Sequence, residues 1–267
     1  MFERDGFAVL RRFIGEHELG ALRAAVDRSL AKPLRPGCER PHNTLAPLRF
    51  NDPIVTALLE SPRRQAAINQ ATSADDLRWI SAYISVKEAR SAELWWHQDW
   101  WCWNHPVSYR AEASQVAVLC YLADTTAANA ALRVIPGSHL RSTALHAALP
   151  EAHTHAAGGL DRDHLAMRDH PDQLTLEVRA GDAVVTDYRL LHGTHANATR
   201  DRRDCVLLSF TPSWRRLPRD LRGHLIRHPA LPTADERDAS GLWPDFDGAP
   251  RDLPLSRIAP SQFVTTA

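Results

Sequence analysis

The sequence predicts a mainly β protein: a sandwich or barrel of short strands, covered on one side by N-terminal helices. Three observations carry that expectation. Apolar residues within the first 76 positions recur at helical spacing. From Leu77 to Phe210 they fall instead into six or more short apolar or alternating runs separated by turn residues. No internal repeat and no linker divides the 267 residues, so the chain reads as a single domain.

Residues 1–14 form an N-terminal lead, with Asp5-Gly6 as a turn and Phe7–Leu10 as a strand. Glu16–Leu30 is a helix, because Leu19, Leu22, Val26 and Leu30 line one face at spacings of three and four. Pro33, Pro36 and Gly37 stop it, and residues 33–50 read as a loop. Pro53–Gln70 is a second helical stretch, capped by Asp52, with Ile54, Leu58 and Leu59 inward and a break at Pro62. Strands follow at Leu77–Lys87, Gln115–Leu122, Ala131–Ile135 (ended by Pro136-Gly137-Ser138), Leu174–Val178, Ala183–Leu191 and Cys205–Phe210. Residues 140–172 look like an irregular surface insert and are the expected lid. From 212 to 267 prolines and charges dominate, with one short helix near Leu217–Arg227.

Composition narrows the function. Thirty-two basic and 32 acidic residues cancel, which leaves no basic face for a nucleic acid. No stretch reaches the apolar length of a membrane span. The four cysteines (Cys38, Cys102, Cys120, Cys205) form no CxxC pair, and Met1–Asp5 lacks the regions of a signal peptide. Both features lead to the expectation of a reduced, cytoplasmic protein with a small-molecule partner.

The chemistry concentrates in Trp95-Trp96-His97-Gln98-Asp99-Trp100-Trp101-Cys102-Trp103 and, far downstream, Leu191-His192-Gly193-Thr194. On a strand, His97 and Asp99 would share a face. Two histidines and one carboxylate make the facial triad of non-haem iron oxygenases, which leaves three metal positions open. An isolated His-x-Asp is more often a plain hydrogen-bonded pair. Five tryptophans within nine residues and a matching histidine at the end of a later run favour the metal reading. His192 belongs to that run, and His195 is its rival from the following turn. Arg200, Arg202 and Arg203 precede the last strand, and a guanidinium there would suit a carboxylate; spacing alone does not choose among the three. Trp101 and Trp103, on the Asp99 face, are the expected aromatic lining of a substrate pocket. Trp96, Gln98 and Trp100 fall on the opposite face. Arg133, with His105 and Arg110, could meet a polar group on the substrate.

Together with Asp5-Gly6-Phe7, Leu132–His139, Gly181-Asp182 and Asn197, these motifs resemble the phytanoyl-CoA dioxygenase family of Fe(II)/2-oxoglutarate oxygenases, from about Phe2 to Phe210. The resemblance implies a double-stranded β-helix (jelly-roll) core over residues 77–211, with the helical part at 1–76. It implies Fe(II) held by His97, Asp99 and His192, and O2 as co-substrate. It implies 2-oxoglutarate held at its distal carboxylate by Arg203 and Thr194. Ser85 lies where some members place an asparagine near the co-substrate, in a segment one residue different in length. Gln98 would support the metal ligands, and Pro136–His139 would be a structural turn. The implied reaction is hydroxylation of a small natural-product or amino-acid-like molecule, with succinate and CO2 as co-products. Halogenating relatives carry a small residue where Asp99 stands, so Asp99 favours hydroxylation. Desaturation, epoxidation and cyclisation would use the same oxidant. The competing classes are a non-catalytic metal-binding jelly roll and a cupin-like hydrolase or isomerase.

Overall fold

The computed structural model describes residues 2–32, 43–152, 154, 159–237 and 241–266. Helix α1 (Phe2–Asp5) leads into β1 (Phe7–Leu10). Then come α2 (Glu16–Leu30), β2 (Asn43–Leu48), α3 (Pro53–Leu59), α4 (Pro62–Thr72), β3 (Arg78–Lys87) and β4 (Leu94–His97). They are followed by β5 (Val116–Tyr121), β6 (Leu132–Val134), β7 (Leu174–Leu176), β8 (Ala183–Asp187), β9 (His192–Thr194), β10 (Arg203–Thr211) and α5 (Arg219–Leu225). The strands form a six-stranded sheet, β1-β8-β5-β10-β3-β2, and a four-stranded sheet, β4-β9-β6-β7. Every pairing within them is antiparallel. This is the jelly-roll arrangement that the sequence motifs imply.

The helices start and stop for local reasons. Asp52 accepts the Ile54 amide and Ser61 the Arg64 amide, and each is followed by a proline in the first helical turn, where a missing N–H costs nothing. Pro62 therefore opens α4 instead of kinking one long helix. Leu19, Leu22, Val26 and Leu30 of α2, with Ile54, Val55, Leu58 and Leu59 of α3, are buried against the outer face of the larger sheet. That face presents Ala82, Ile84, Val86, Val118, Cys120, Val185, Val206 and Leu208. Alternation then turns Ser81, Tyr83, Ser85 and Lys87 of β3 inward, and on β10 Arg203, Cys205, Leu207 and Ser209. The inward face meets the smaller sheet through Tyr121, Leu132, Val134, Val184 and Cys205.

Several expectations are corrected. The loop expected over residues 33–50 contains β2, an edge strand paired only with β3; Pro47 is tolerated there because an edge strand need not donate on both sides. Pro33, Pro36, Gly37 and Cys38 lie outside the described residues. The apolar run Ala183–Leu191 is not one strand. β8 ends at Asp187, whose carboxylate accepts the Arg189 amide, and the turn at Tyr188–Leu191 carries the chain across to β9. Gly193 in β9 is required by close approach: a Cβ there would sit 2.7 Å from the Leu94 carbonyl oxygen. The stretch 212–267 has little regular structure beyond α5 but is firmly packed. Trp214, Leu217, Leu221, Leu225, Ala259 and Phe263 close over Trp100, Trp101 and Trp103. Cys102, Cys120 and Cys205 are buried free thiols. No helix among the described residues is long and apolar enough to cross a membrane.

Candidate active site

His97 ends β4 and His192 begins β9, and the two are register partners on neighbouring strands of the smaller sheet. Their rings therefore meet, with centroids 4.2 Å apart. β4 stops at His97, so Asp99 reaches the same point through the irregular chain that follows and not by strand alternation. Its carboxylate oxygens lie 3.7 Å from His97 Nε2 and 3.6 Å from His192 Nε2. One ligand atom from each residue lies within 4.8 Å of the others, a grouping able to hold a metal ion.

The histidines are oriented by the backbone. His97 Nδ1 is 3.0 Å from the Trp95 carbonyl oxygen, and His192 Nδ1 is 3.0 Å from that of Leu190. A carbonyl only accepts, so Nδ1 carries the hydrogen and Nε2 keeps its lone pair for a metal. Both rings are buried and Asp99 is partly so. Gln98 faces away from the pair and donates to the Arg189 carbonyl, tying the end of β4 to the turn before β9.

Beside the triad lies a chamber of unmatched donors. Arg203 Nε, Lys87 Nζ and Thr194 Oγ1 are buried and have no hydrogen-bond partner. Arg203 donates once, from Nη2 to the Ala130 carbonyl at 2.8 Å, and its guanidinium lies over the Tyr121 ring. Lys87 and Arg203 are direct register partners, and neither forms an ion pair among the described residues. Burial pushes the Lys87 ammonium well below its ordinary range, and the charges of Arg203 and then Arg133 push it further. A buried guanidinium, a buried lysine that an anion beside it would hold charged, and an unpartnered hydroxyl in one interior fit an anion with several acceptor oxygens. Ser85 shares this inward face, two residues before Lys87. Nothing in the sequence motifs singled out Lys87; the parity Ser81, Tyr83, Ser85, Lys87 was the available signal.

A cavity of about 620 Å³ reaches Asp99. Tyr83, Trp101, Tyr188 and Leu207 form its walls, and Ser81 and Gln115 its polar depth. Its outer lip comes from the C-terminal segment: His224, Leu225, Arg227, His228, Asp252, Leu255 and Arg257. Trp101 stacks on His224 at 4.5 Å and donates to Gln115 Oε1 at 2.5 Å. Tyr188 donates to Ser209 Oγ at 2.7 Å. Burial and the Asp99 charge both push the Tyr188 phenol upward, so it stays protonated.

The family model described as phytanoyl-CoA dioxygenase matches residues 2–205. The chain belongs to this family. Similar curated proteins include the ectoine dioxygenase of Bordetella parapertussis, 24% identical over 219 residues, covering 73% of this chain and 68% of that one. The L-proline trans-4-hydroxylase of Streptomyces griseoviridis is 31% identical over 174 residues, covering 57% and 59%. Among solved structures, HygX from Streptomyces hygroscopicus, determined with nickel and 2-oxoglutarate bound, shares the fold with a TM-score of 0.58 at 20% identity, covering 79% of this chain and 84% of that one. The protein is an Fe(II)- and 2-oxoglutarate-dependent dioxygenase.

Within this dioxygenase the residues expected at the site divide cleanly. His97, Asp99 and His192 come together, and Arg203 and Thr194 are on the same interior. His195 is not in the triad; its Nε2 meets Thr175 Oγ1 at 2.8 Å. Arg202 points elsewhere, to Asp204 and Asp27. Trp101 lines the cavity, whereas Trp103 is fully buried against Tyr109 and Phe263 and lines none of it. Arg133 is on the outer face of β6, over the Trp96 ring and bonded to Asp169, so it does not face the cavity. Its neighbours Leu132 and Val134 take the inward positions. Arg110 lies outside the cavity, and His105 pairs with Asp220. The described part of residues 140–172 packs through Leu145 and Leu149 onto Trp96, Ile135 and Leu191, on the far side of the smaller sheet. The cavity lip is C-terminal instead. Asn197 has a holding role, donating to the carbonyls of Lys87, Glu88 and Asp201. His139 holds the N-terminal packing by donating from Nε2 to the Glu3 carbonyl at 3.1 Å.

Proposed function

We propose that this enzyme hydroxylates a ring-bearing small molecule of the natural-product or amino-acid type, with His97, Asp99 and His192 as the iron ligands. The observation that carries the reading is the convergence of three features on one interior: the triad, the unmatched Arg203–Lys87–Thr194 donors, and an aromatic cavity open to Asp99. Bound iron, with 2-oxoglutarate and O2, supplies the oxidising power that converts the keto acid to succinate and CO2 and places one oxygen atom in a C–H bond. The chain's own residues do the rest. The Trp95 and Leu190 carbonyls hold the histidines in their ligating tautomer. Arg203, Lys87 and Thr194 supply charge and donors to the distal carboxylate of the co-substrate, with Ser85 beside them. Tyr83, Trp101 and Tyr188 hold a flat or cyclic substrate by their faces, because the Trp101 and Tyr188 polar tips are already spent on Gln115 and Ser209. Enclosure between the two sheets limits water at the point of oxidation.

The test is anaerobic. Fe(II)-loaded protein titrated with 2-oxoglutarate is expected to develop a keto-acid-dependent visible absorption band, and admission of O2 is expected to yield succinate. Absence of both band and succinate would sink the assignment and leave a non-catalytic metal-binding jelly roll. Arg203→Met is expected to weaken 2-oxoglutarate binding on the order of 100-fold or more, since removing one partner of a buried charge pair costs about 3–5 kcal/mol. An unchanged titration midpoint would take the distal carboxylate away from Arg203.

A further inference from the structure

The C-terminal lip of the cavity carries a charge the proposed reaction does not use. Two arginines and two histidines line it, and they are not equivalent. Arg227 is paired with Asp252 by a short contact. His224 lies 3.6 Å from the same carboxylate through Nδ1, which also accepts the Leu253 amide at 3.1 Å. His228 accepts the Ala230 amide at Nδ1, so its Nε2 carries the hydrogen and donates to the Tyr83 hydroxyl at 3.3 Å. The Tyr83 hydroxyl also hydrogen-bonds with Ser81, so its polar atom is engaged on both sides. Arg257 is different: it lines the cavity, is only partly exposed, and forms no ion pair among the described residues. Its one hydrogen bond among the described residues, from Nη1 to the Ala152 carbonyl, is long at 3.4 Å. The acids lining the cavity are Asp99, which belongs to the metal site, and Asp252, which Arg227 occupies. Among the described residues the lip therefore ends in one guanidinium without an acidic partner.

The geometry points to Arg257 as the residue that selects the substrate, by binding a carboxylate carried on a ring that stacks between Trp101 and Tyr188. The inference rests on the reading of the cavity as the substrate site. A guanidinium offers paired, coplanar donors that match the two oxygens of a carboxylate, whereas the aromatic walls supply area without direction. The ring would thus be held by its faces and the molecule's heading set by the acid, with the end remote from Arg257 presented at Asp99. The family match ends at residue 205, and Arg257 lies beyond it, as do His224, Arg227, His228 and Asp252. Selectivity is accordingly placed on a segment outside the matched region, while the metal ligands, the co-substrate donors and the aromatic residue Trp101 lie within it. The site would accept an anion and reject its neutral isostere, because an amide leaves the guanidinium without a charged partner.

The experiment uses ring carboxylic acids, each paired with its own primary amide, starting with 4-phenylbutyrate and 4-phenylbutyramide and extending to bicyclic analogues. Binding is read on the full-length Fe(II)- and 2-oxoglutarate-loaded protein without oxygen, as a perturbation of the absorption band and as quenching of tryptophan fluorescence. Acids are expected to bind more tightly than their amides by about 10-fold or more, the worth of a hydrogen bond to a charged group. Arg257→Leu is expected to erase that difference, Arg257→Lys to retain part of it, and Arg227→Leu to leave most of it. The midpoint of the 2-oxoglutarate titration should stay unchanged in all three. Equal binding of acids and amides by the wild type across the series overturns the inference, as does a preference that survives in Arg257→Leu. Loss of the absorption band in the wild type would instead strike the proposed function itself, which separates the two failures. A phosphonate analogue that outcompetes the carboxylate would overturn the assignment to a carboxylate and move the ligand to a phosphate class.

Discussion

Asp99→Ala is expected to abolish succinate formation and to weaken metal binding by at least about 100-fold, with little loss of folding stability. Outer partners of metal ligands cost roughly 10- to 100-fold when removed, so loss of the carboxylate ligand itself sets that as a floor. Asp99 sits at the base of the cavity, its side chain partly exposed, and its two oxygens face one histidine nitrogen each at 3.7 and 3.6 Å. No other acid joins that grouping among the described residues, so nothing nearby can replace it. The histidines should remain in place, because the Trp95 and Leu190 carbonyls orient them independently of Asp99. Metal competition under anaerobic conditions gives the affinity, and thermal unfolding of the metal-free variant reports the fold. A variant that binds iron like the wild type would remove Asp99 from the ligand set. A variant that fails to fold would show Asp99 to be a structural partner of the two imidazoles instead.

How much of this could be read from the sequence depends on whether the signal was local. α2 was legible from four leucine and valine positions and α3 from Asp52 followed by proline, whereas α4 was merged with α3 because the Ser61 cap before Pro62 went unread. The triad was legible because two histidines and one carboxylate recur in a known pattern, with His192 at the end of an apolar run. The reason given for Asp99 was nevertheless incomplete. Strand parity was extended past His97, where the strand stops, and the same extension put Trp103 in the pocket when it is core. Arg133 failed for a related reason. β6 is three residues long and its inward positions belong to Leu132 and Val134, a fact fixed by which sheet it joins and not by its own sequence. β2 was missed because an exposed edge strand containing proline carries neither alternation nor β propensity. The cavity lip was the least legible of all. Its residues come from a stretch with little periodic structure, and only tertiary packing brings residues 224–257 over the tryptophan segment.

Arg189→Leu is expected to destabilise the protein by about 3–5 kcal/mol, a large part of the roughly 5–15 kcal/mol that holds a typical domain folded. Arg189 and Asp187 are both almost wholly buried and joined twice, Nε to Oδ1 at 3.0 Å and Nη2 to Oδ2 at 2.7 Å. The guanidinium also donates to the carbonyls of Ser108, Arg110, Ala111 and Glu112. It thus braces the turn that moves the chain from β8 to β9 and delivers His192 to the metal site. Removing it would strand a buried carboxylate and leave those carbonyls short of a donor. The effect has a pH signature. Burial by itself would raise the Asp187 carboxyl, but the Arg189 charge and hydrogen bonds, helped by His139, hold it below the ordinary range. A carboxyl depressed in the folded state contributes stability above its unfolded value near about 3.9, and that contribution is lost as the pH falls through the folded value. In Arg189→Leu burial, the largest influence, is opposed only by the residue-189 amide and His139, so the sign reverses: the carboxyl rises, and its ionisation at neutral pH works against folding. The gap between wild type and variant should therefore be widest near neutral pH and narrow as the pH falls toward about 4 and below. Denaturant unfolding of both proteins at several pH values measures it. A gap of the same size at every pH would mean that Arg189 acts through packing and carbonyl bonds alone, and that Asp187 is not the charge it balances.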